Sequence, residues 1–296
     1  MAWKSHVKGD LLLLLTALIW GSAFVAQKVG MDHMGPFMYT GIRFALGALV
    51  LTPFILVFSN RNKVLPTVEG GPSLLKAGLL AGTLLFAGSI LQQVGIIYTT
   101  AGKAGFITGL YVVLVPLIGC IWGFRPGSGS AFGALLAVSG LYLLTISNGF
   151  NIGFGDTLVI ICAFMYAFHV LAIGWLAPRH DVLKLAALQF WVCAGLSLMI
   201  GLVVEEVTWS AIRAAAVPIL YGGVLSVGVA FTLQVVAQKR SPPTHAAVIL
   251  SLETVFAVLA GMIILGEVLT IRGWAGCALM LMGMLAAQLD PVKKIN

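Results

Sequence analysis

The fold is decided by residues 241–267, which read SPPTHAAVILSLETVFAVLAGMIILGE. After its prolines the segment stays apolar for about twenty residues, which is long enough for a helix to cross a bilayer. One carboxylate, Glu253, lies near its middle. Because a charge at that depth costs several kcal/mol, an intramembrane carboxylate indicates a function by default.

The composition is that of a polytopic helical membrane protein. Of 296 residues, 60% are hydrophobic and 9% are charged, whereas soluble proteins carry roughly a quarter charged residues. The net charge of +7 does not indicate a nucleic-acid partner, because the basic residues stand singly in short loops. The four cysteines have no CxxC spacing, so neither a zinc site nor a disulfide framework is predicted.

Ten apolar runs of spanning length are predicted as transmembrane helices in an all-α integral membrane protein. They cover residues 11–29, 36–58, 75–97, 103–123, 131–148, 156–176, 184–204, 215–237, 244–266 and 270–289. The connections are short, so no soluble domain is expected. The first run lacks a clear cleavage site for a signal peptide and is expected to be a retained helix.

The distribution of Lys and Arg predicts the orientation. If the N terminus is cytoplasmic, twelve basic residues lie inside and four lie outside, while Arg43 lies within a span. Cytoplasmic loops carry the excess of Lys and Arg in membrane proteins. Both termini are therefore predicted to be cytoplasmic, in a bacterial-type inner (plasma) membrane.

The two halves of the chain resemble each other at a nearly constant offset. Runs 1 and 2 match runs 6 and 7 at 146 residues, runs 3 and 4 match runs 8 and 9 at 142, and run 5 matches run 10 at 143. These offsets pair Trp20 with Tyr166, Arg43 with Gln189, Gln92 with Gln234, and Tyr111 with Glu253. An odd number of spans per repeat inverts the second half, so residues 1–149 and 150–296 are predicted to be inverted five-helix repeats. Such repeats place a substrate site near the midplane and permit alternating access.

Three motifs together resemble the drug/metabolite transporter superfamily, in its ten-helix EamA branch. They are Trp-Gly-Ser at residues 20–22, the intramembrane Arg43, and Leu-Glu at residues 252–253 followed by Gly-Glu at residues 266–267. Thr254 stands where the family pattern has a proline, so this chain lacks the residue that would kink the helix. The resemblance implies a secondary transporter that exports or imports small metabolites without a covalent cofactor.

Two intramembrane charges are the leading candidates for function. Glu253 is expected either to hold helices together or to handle substrate or a proton, which makes it the candidate for proton coupling. Arg43 is expected to pair with a carboxylate, attract an anionic substrate group, or extend to the membrane interface. His169 stands without a second His or carboxylate at helical spacing, so no metal site is predicted.

Aromatic and polar side chains at matching depths in both halves are predicted to line the cavity. The full set is Trp20, Arg43, Gln92, Tyr111, Tyr166, His169, Gln189, Tyr221, Gln234 and Glu253. Tyr98 and Trp175 lie near span ends, where interfacial anchoring is the better interpretation. Aromatic walls with few charges suit an amphipathic solute such as an amino acid, and export is the favoured direction.

Other classes of function are less well supported by the sequence. An intramembrane enzyme would need paired catalytic groups within spans, such as HExxH, two aspartates, or Ser with Lys, and the runs contain none of these. A chromophore-binding receptor would need a late-span lysine for a Schiff base and seven helices. There is no Walker A motif, so ATP is not expected to drive transport by this chain. The sequence does not predict an oligomeric state.

Overall fold

The computed structural model describes residues 2–58, 71–99, 101–121, 127–145, 153–265 and 270–288. All the regular secondary structure in this part of the chain is helical. The α-helices are α1 Ala2–Gly30, α2 Pro36–Phe58, α3 Leu74–Gly95, α4 Ala101–Thr108, α5 Tyr111–Ile121, α6 Ser128–Thr145, α7 Phe154–Leu176, α8 Val182–Val204, α9 Trp209–Ala214, α10 Ala216–Leu220, α11 Thr232–Gln238, α12 Pro243–Leu250, α13 Glu253–Leu265 and α14 Ile271–Gln288. A 3₁₀ turn, Ala177–Arg179, follows α7, and a π-helical stretch, Tyr221–Phe231, joins α10 to α11.

Eight segments of the described chain are long and apolar enough to cross a membrane. They are Lys8–Gly30, Pro36–Val57, Leu74–Gly95, Ala104–Ile121, Phe154–Arg179, Val182–Val204, Ala216–Gln238 and Pro243–Ile264. Helices α6 and α14, with 18 residues each, occupy the two remaining predicted runs. The prediction of an all-α membrane protein is confirmed. The motif residues Gly266 and Glu267 and the basic residues at 61, 63, 125, 293 and 294 lie outside the described residues.

The run that contains Glu253 is two helices rather than the continuous helix expected from its sequence. The chain leaves α12 after Leu250 and enters α13 at Glu253. No proline causes this break. Instead, Ser251 Oγ donates a hydrogen bond to the Val248 carbonyl oxygen at 2.8 Å, and such local bonds compete with helical ones. Thr254 Oγ1 donates to the Gly105 carbonyl oxygen of α4 at 3.1 Å.

The fourth run is broken in the same manner. It consists of α4 and α5, with Gly109 and Leu110 between them. Shifted by 142 residues, α4 begins and ends where α12 does. The first residue of α5 falls on the first residue of α13 by the same shift. Because α12 packs against α5 and α13 packs against α4, the two discontinuous helices cross at their breaks.

Helices α6 and α14 form a separate tightly packed pair. A Cβ atom on Gly140 would overlap the carbonyl oxygen of Gly276, and one on Gly283 would lie 2.5 Å from the carbonyl oxygen of Gly133. Small residues permit such close approach of helix backbones. The contact is reciprocal, because the offset of 143 relates Gly133 to Gly276 and Gly140 to Gly283.

Glu205, at the C-terminal end of α8, binds the beginning of α2. Its two carboxylate oxygens accept hydrogen bonds from the backbone N–H groups of Phe37 and Met38, both at 2.8 Å. These N–H groups have no partner within the helix, and a carboxylate at a helix N terminus is favoured by the helix dipole. Glu205 therefore connects the two halves of the chain.

The α6–α14 contact yields a prediction about stability. We expect Gly140→Ala to destabilise the protein by about 1–3 kcal/mol, because the added methyl group forces the two backbones apart. The measurement is the midpoint of thermal unfolding in detergent. Gly195→Ala is the matched control, since a Cβ there meets no atom within 4 Å and alanine is the better helix former. Equal midpoints for the two variants would contradict the prediction.

Candidate functional site

A cavity lies between the two halves of the chain, at the crossing of the discontinuous helices. The space between its walls, with the open solvent at its mouth included, is about 490 Å³. The lining residues are Trp20, Phe24, Gln27, Arg43, Gln92, Thr108, Tyr111, Tyr166, His169, Val170, Ser226, Phe231, Gln234, Leu250 and Glu253.

Eight of the ten residues predicted from the sequence line this cavity, and the other two lie behind it. Gln189 supports the wall, because its Oε1 lies 2.9 Å from His169 Nε2. The Tyr221 hydroxyl hydrogen-bonds to Ser22 Oγ, two residues after Trp20 in the sequence. Tyr98 and Trp175, which were expected at the interface, are exposed and do not line the cavity.

Glu253 occupies one corner of the cavity, as the first residue of α13. It is 4% exposed, and its carboxyl group lies near the Tyr111 hydroxyl and the Cys162 thiol. The Tyr111 hydroxyl forms no hydrogen bond with favourable geometry to any described group. On the same side, Gln92 Nε2 donates to Thr108 Oγ1 at 3.1 Å. This corner therefore combines an acidic group with an adjacent hydroxyl.

Arg43, on α2, brings a positive charge to the same cavity. It is 2% exposed, and its guanidinium carbon lies 5.5 Å from the centre of the Tyr39 ring and 5.2 Å from that of Phe44. Within the described residues no ion pair involves Arg43, and its Nε has no hydrogen-bond partner. Of its expected roles, extension to the interface is wrong, because the side chain points inward to the cavity.

Aromatic rings separate the two charges. Tyr166 interacts electrostatically with both Arg43 and Glu253, and its hydroxyl lies 3.2 Å from Ser89 Oγ. Trp20 packs on Phe231 with ring centroids 4.4 Å apart, and Trp20 Nε1 donates to the Ser226 carbonyl oxygen at 3.2 Å. The cavity thus has an acidic and a basic part connected by an apolar wall.

Several buried polar atoms of the lining residues have no hydrogen-bond partner in the part of the chain that the structure describes. They are Gln27 Oε1, Arg43 Nε, Tyr111 Oη, His169 Nδ1 and Gln234 Oε1. An unpaired buried polar group costs about 1–3 kcal/mol, so a solute that pairs with these atoms gains binding free energy. The described residues contain no cluster of three His, Cys, Asp or Glu side chains that could hold a metal ion.

The sequence did not identify seven of the lining residues. They are Phe24, Gln27, Thr108, Val170, Ser226, Phe231 and Leu250. The helical spacing of Phe24 and Gln27 from Trp20 places all three on one helix face, and this signal was available. Ser226 and Phe231 are five residues apart. In a π-helix, with its i→i+5 bonding, this spacing places both side chains on the same side of the helix. No apolar pattern predicts such a stretch.

Comparison with known proteins agrees with this architecture. The sequence profile of the EamA-like transporter family matches residues 7–146 and again residues 153–287. An uncharacterized transporter of Archaeoglobus fulgidus is 33% identical over 281 residues, which are 95% of this chain and 85% of that protein. The uncharacterized inner membrane transporter YedA of Escherichia coli is 24% identical over 87% of this chain and 83% of its own length.

A protein of known crystal structure shares the fold. The two structures superpose with a TM-score of 0.75 at 21% sequence identity, over 95% of this chain and 96% of the other. Together, the two profile matches cover far more than half of the sequence. The chain therefore belongs to the EamA-like transporter family and is a multi-pass membrane transporter.

Proposed function

We propose that the protein is a secondary transporter of the plasma membrane that exports small zwitterionic metabolites such as amino acids. The observation that carries this proposal is the pair of buried opposite charges, Arg43 and Glu253, in one cavity without an ion pair between them. Buried charges are costly unless they are paired. A solute with a carboxylate and an ammonium group pairs with both at once.

The walls of the cavity support a solute that also has an apolar part. Trp20, Phe24, Phe231 and Leu250 contribute apolar surface between the polar corners. The lining contains one arginine rather than a cluster, which suits a single carboxylate better than a polyphosphate. The substrate class therefore rests on both the number of charges and the apolar surface between them.

The proposed mechanism is alternating access between two inverted five-helix repeats, residues 1–149 and 150–296, with both termini in the cytoplasm. The breaks of the two discontinuous helices coincide at an offset of 142 residues, which supports a duplicated origin. The reciprocal glycine contacts of α6 and α14 fit a pseudo-two-fold axis in the membrane plane. At 1.5 Å per residue, an 18-residue helix extends about 27 Å, close to the thickness of the hydrocarbon core. We therefore count α6 and α14 as spans, which makes ten.

We propose no enzymatic activity for the chain. Among the described residues, the cavity lining contains one carboxylate, Glu253, and one imidazole, His169, so it has neither paired carboxylates nor a metal-binding cluster. Binding and release is the chemistry that this arrangement supports.

Transport by the purified protein is the direct test of the proposed function. We expect proteoliposomes to take up or release amino acids from a panel that also contains nucleosides, measured with and without a pH gradient. Nucleosides lack the carboxylate that pairs with Arg43 and serve as the chemical control. Movement of no amino acid from either side would contradict the proposal.

Glu253 generates a prediction about proton coupling. We expect Glu253→Gln to abolish the dependence of uptake on pH, because a glutamine cannot exchange a proton at this place in the cavity. The measurement is the initial rate of uptake across a series of pH values. Glu206→Gln is the matched control, since Glu206 is exposed in the loop after α8. An unchanged pH profile in Glu253→Gln would exclude the carboxylate as the proton carrier.

Arg43 generates a prediction about recognition of the carboxylate. We expect Arg43→Gln to raise the KM for a transported amino acid by about 10–100-fold, since a hydrogen bond to a charged group contributes about 1.5–3 kcal/mol. Uptake of the amine that lacks the carboxylate should not weaken. Arg213→Gln, at an exposed site in α9, is the control. Equal losses for the amino acid and its amine would show that Arg43 does not bind the carboxylate.

A further inference from the structure

Two aspartates at equivalent positions of the repeats make tertiary contacts far from the cavity. Asp10 lies near the beginning of the first span, and Asp156 lies near the beginning of α7, at the offset of 146 residues. Asp10 Oδ1 lies 2.8 Å from His245 Nε2 of α12. Asp156 Oδ1 accepts a hydrogen bond from Thr99 Oγ1 at 2.8 Å, just before α4.

In the proposed inverted topology, these contacts lie at opposite ends of the cavity. Ten residues separate Asp10 from Trp20 on α1, and ten separate Asp156 from Tyr166 on α7, which corresponds to about 15 Å of helix in each case. Trp20 and Tyr166 both line the cavity. Since the two repeats are inverted in the proposed topology, Asp10 lies toward the cytoplasm and Asp156 toward the outside.

Each contact joins the first helix of one repeat to the beginning of a discontinuous helix of the other repeat. Asp10 belongs to α1, and its partner begins α12, which ends at the cavity residue Leu250. Asp156 belongs to α7, and its partner precedes α4, which ends at the cavity residue Thr108. A path to the cavity can open between these helices at one end only if the aspartate contact at that end breaks.

We infer that the Asp10–His245 pair and the Asp156–Thr99 pair are the inner and outer gate contacts of the transporter, and this inference depends on the proposed alternating access. Both contacts are formed in the structure. During transport one contact breaks while the other stays closed, so that the cavity opens to one side at a time. Asp156 also accepts from the backbone N–H of Gly153 at 2.9 Å, which keeps its carboxylate oriented when the outer contact breaks.

A purely structural role would give a different result from a gating role. Loss of a structural contact lowers stability and affects access from both faces alike. Loss of a gate contact increases access from one face only. The direction of the effect, rather than its size, therefore tests the inference.

The experiment measures labelling of a cysteine at the cavity residue Ser226, whose side chain is close in size to cysteine. Cys120, Cys162, Cys193 and Cys277 are first replaced by alanine. Ser226→Cys is then labelled with a membrane-impermeant cationic methanethiosulfonate, in right-side-out and in inside-out vesicles. Labelling rates are compared for Asp10→Ala and for Thr99→Val, which leaves the bond between Asp156 and Gly153 in place.

We expect Asp10→Ala to accelerate labelling by roughly tenfold in inside-out vesicles only, and Thr99→Val to do so in right-side-out vesicles only. Tenfold corresponds to about 1.4 kcal/mol, close to the lower end of the about 1.5–3 kcal/mol that a hydrogen bond to a charged group contributes. Lys8→Ala and Asp32→Ala are the controls at the inner and outer face, because both residues are exposed. The exchanged pair, Asp10→His with His245→Asp, should restore the slow rate.

Three outcomes contradict the inference in distinguishable ways. Equal acceleration from both faces, or none, excludes the gate contacts while the proposed transport mechanism stands. The inner gate is also excluded if Asp10→Ala loses folded protein and the exchanged pair, Asp10→His with His245→Asp, does not correct this loss. If no variant or parent is labelled from either face, the cavity does not open, and the proposed alternating access fails together with the gates.

Discussion

Backbone N–H and C=O groups inside a bilayer have no water to bind, so every interruption of a helix at that depth must be enclosed by protein. This constraint governs the centre of the molecule. The breaks in α4–α5 and α12–α13 lie where the two discontinuous helices cross, and the residues around them are buried. Side-chain hydrogen bonds reinforce the crossing, as Thr254 does by donating to the Gly105 carbonyl oxygen, which also accepts from the Gly109 N–H. The same crossing creates the space in which a solute can bind.

The position of the charges follows from this arrangement. Glu253 is the first residue of α13, where the N-terminal end of the helix dipole favours a negative charge. Its repeat counterpart, Tyr111, is the first residue of α5. At the offset of 142 residues, one acid and one hydroxyl therefore occupy corresponding helix ends, and the two groups lie close together at the cavity. Arg43 enters from α2, and Tyr166 interacts electrostatically with both Arg43 and Glu253.

The halves are similar in architecture but not in detail. The span Ala216–Gln238 contains a π-helical stretch, whereas its counterpart α3 is a regular α-helix throughout Leu74–Gly95. The π-helical stretch presents Ser226 and Phe231 to the cavity. A substrate that lacks two-fold symmetry needs unlike walls, and this local change in helical bonding supplies them without altering the packing of the repeats. π-helical segments often occur at functional sites for this reason.

The sequence by itself determined the class of protein, the positions of the apolar segments and most of the cavity lining. Hydrophobic length is a local property, so it can be counted along the chain, and the offsets between the halves identified Trp20, Gln92, Tyr111, Tyr166, Gln234 and Glu253 as related positions. Only the tertiary structure decided how the helices break and what lies behind the walls. The break at Ser251 is not marked by a proline; it coincides with the Ser251–Val248 hydrogen bond and with the packing of α12 and α13 against α5 and α4. Gln189 and Tyr221 support the cavity instead of lining it, since rotation of a helix about its axis is determined by packing against its neighbours.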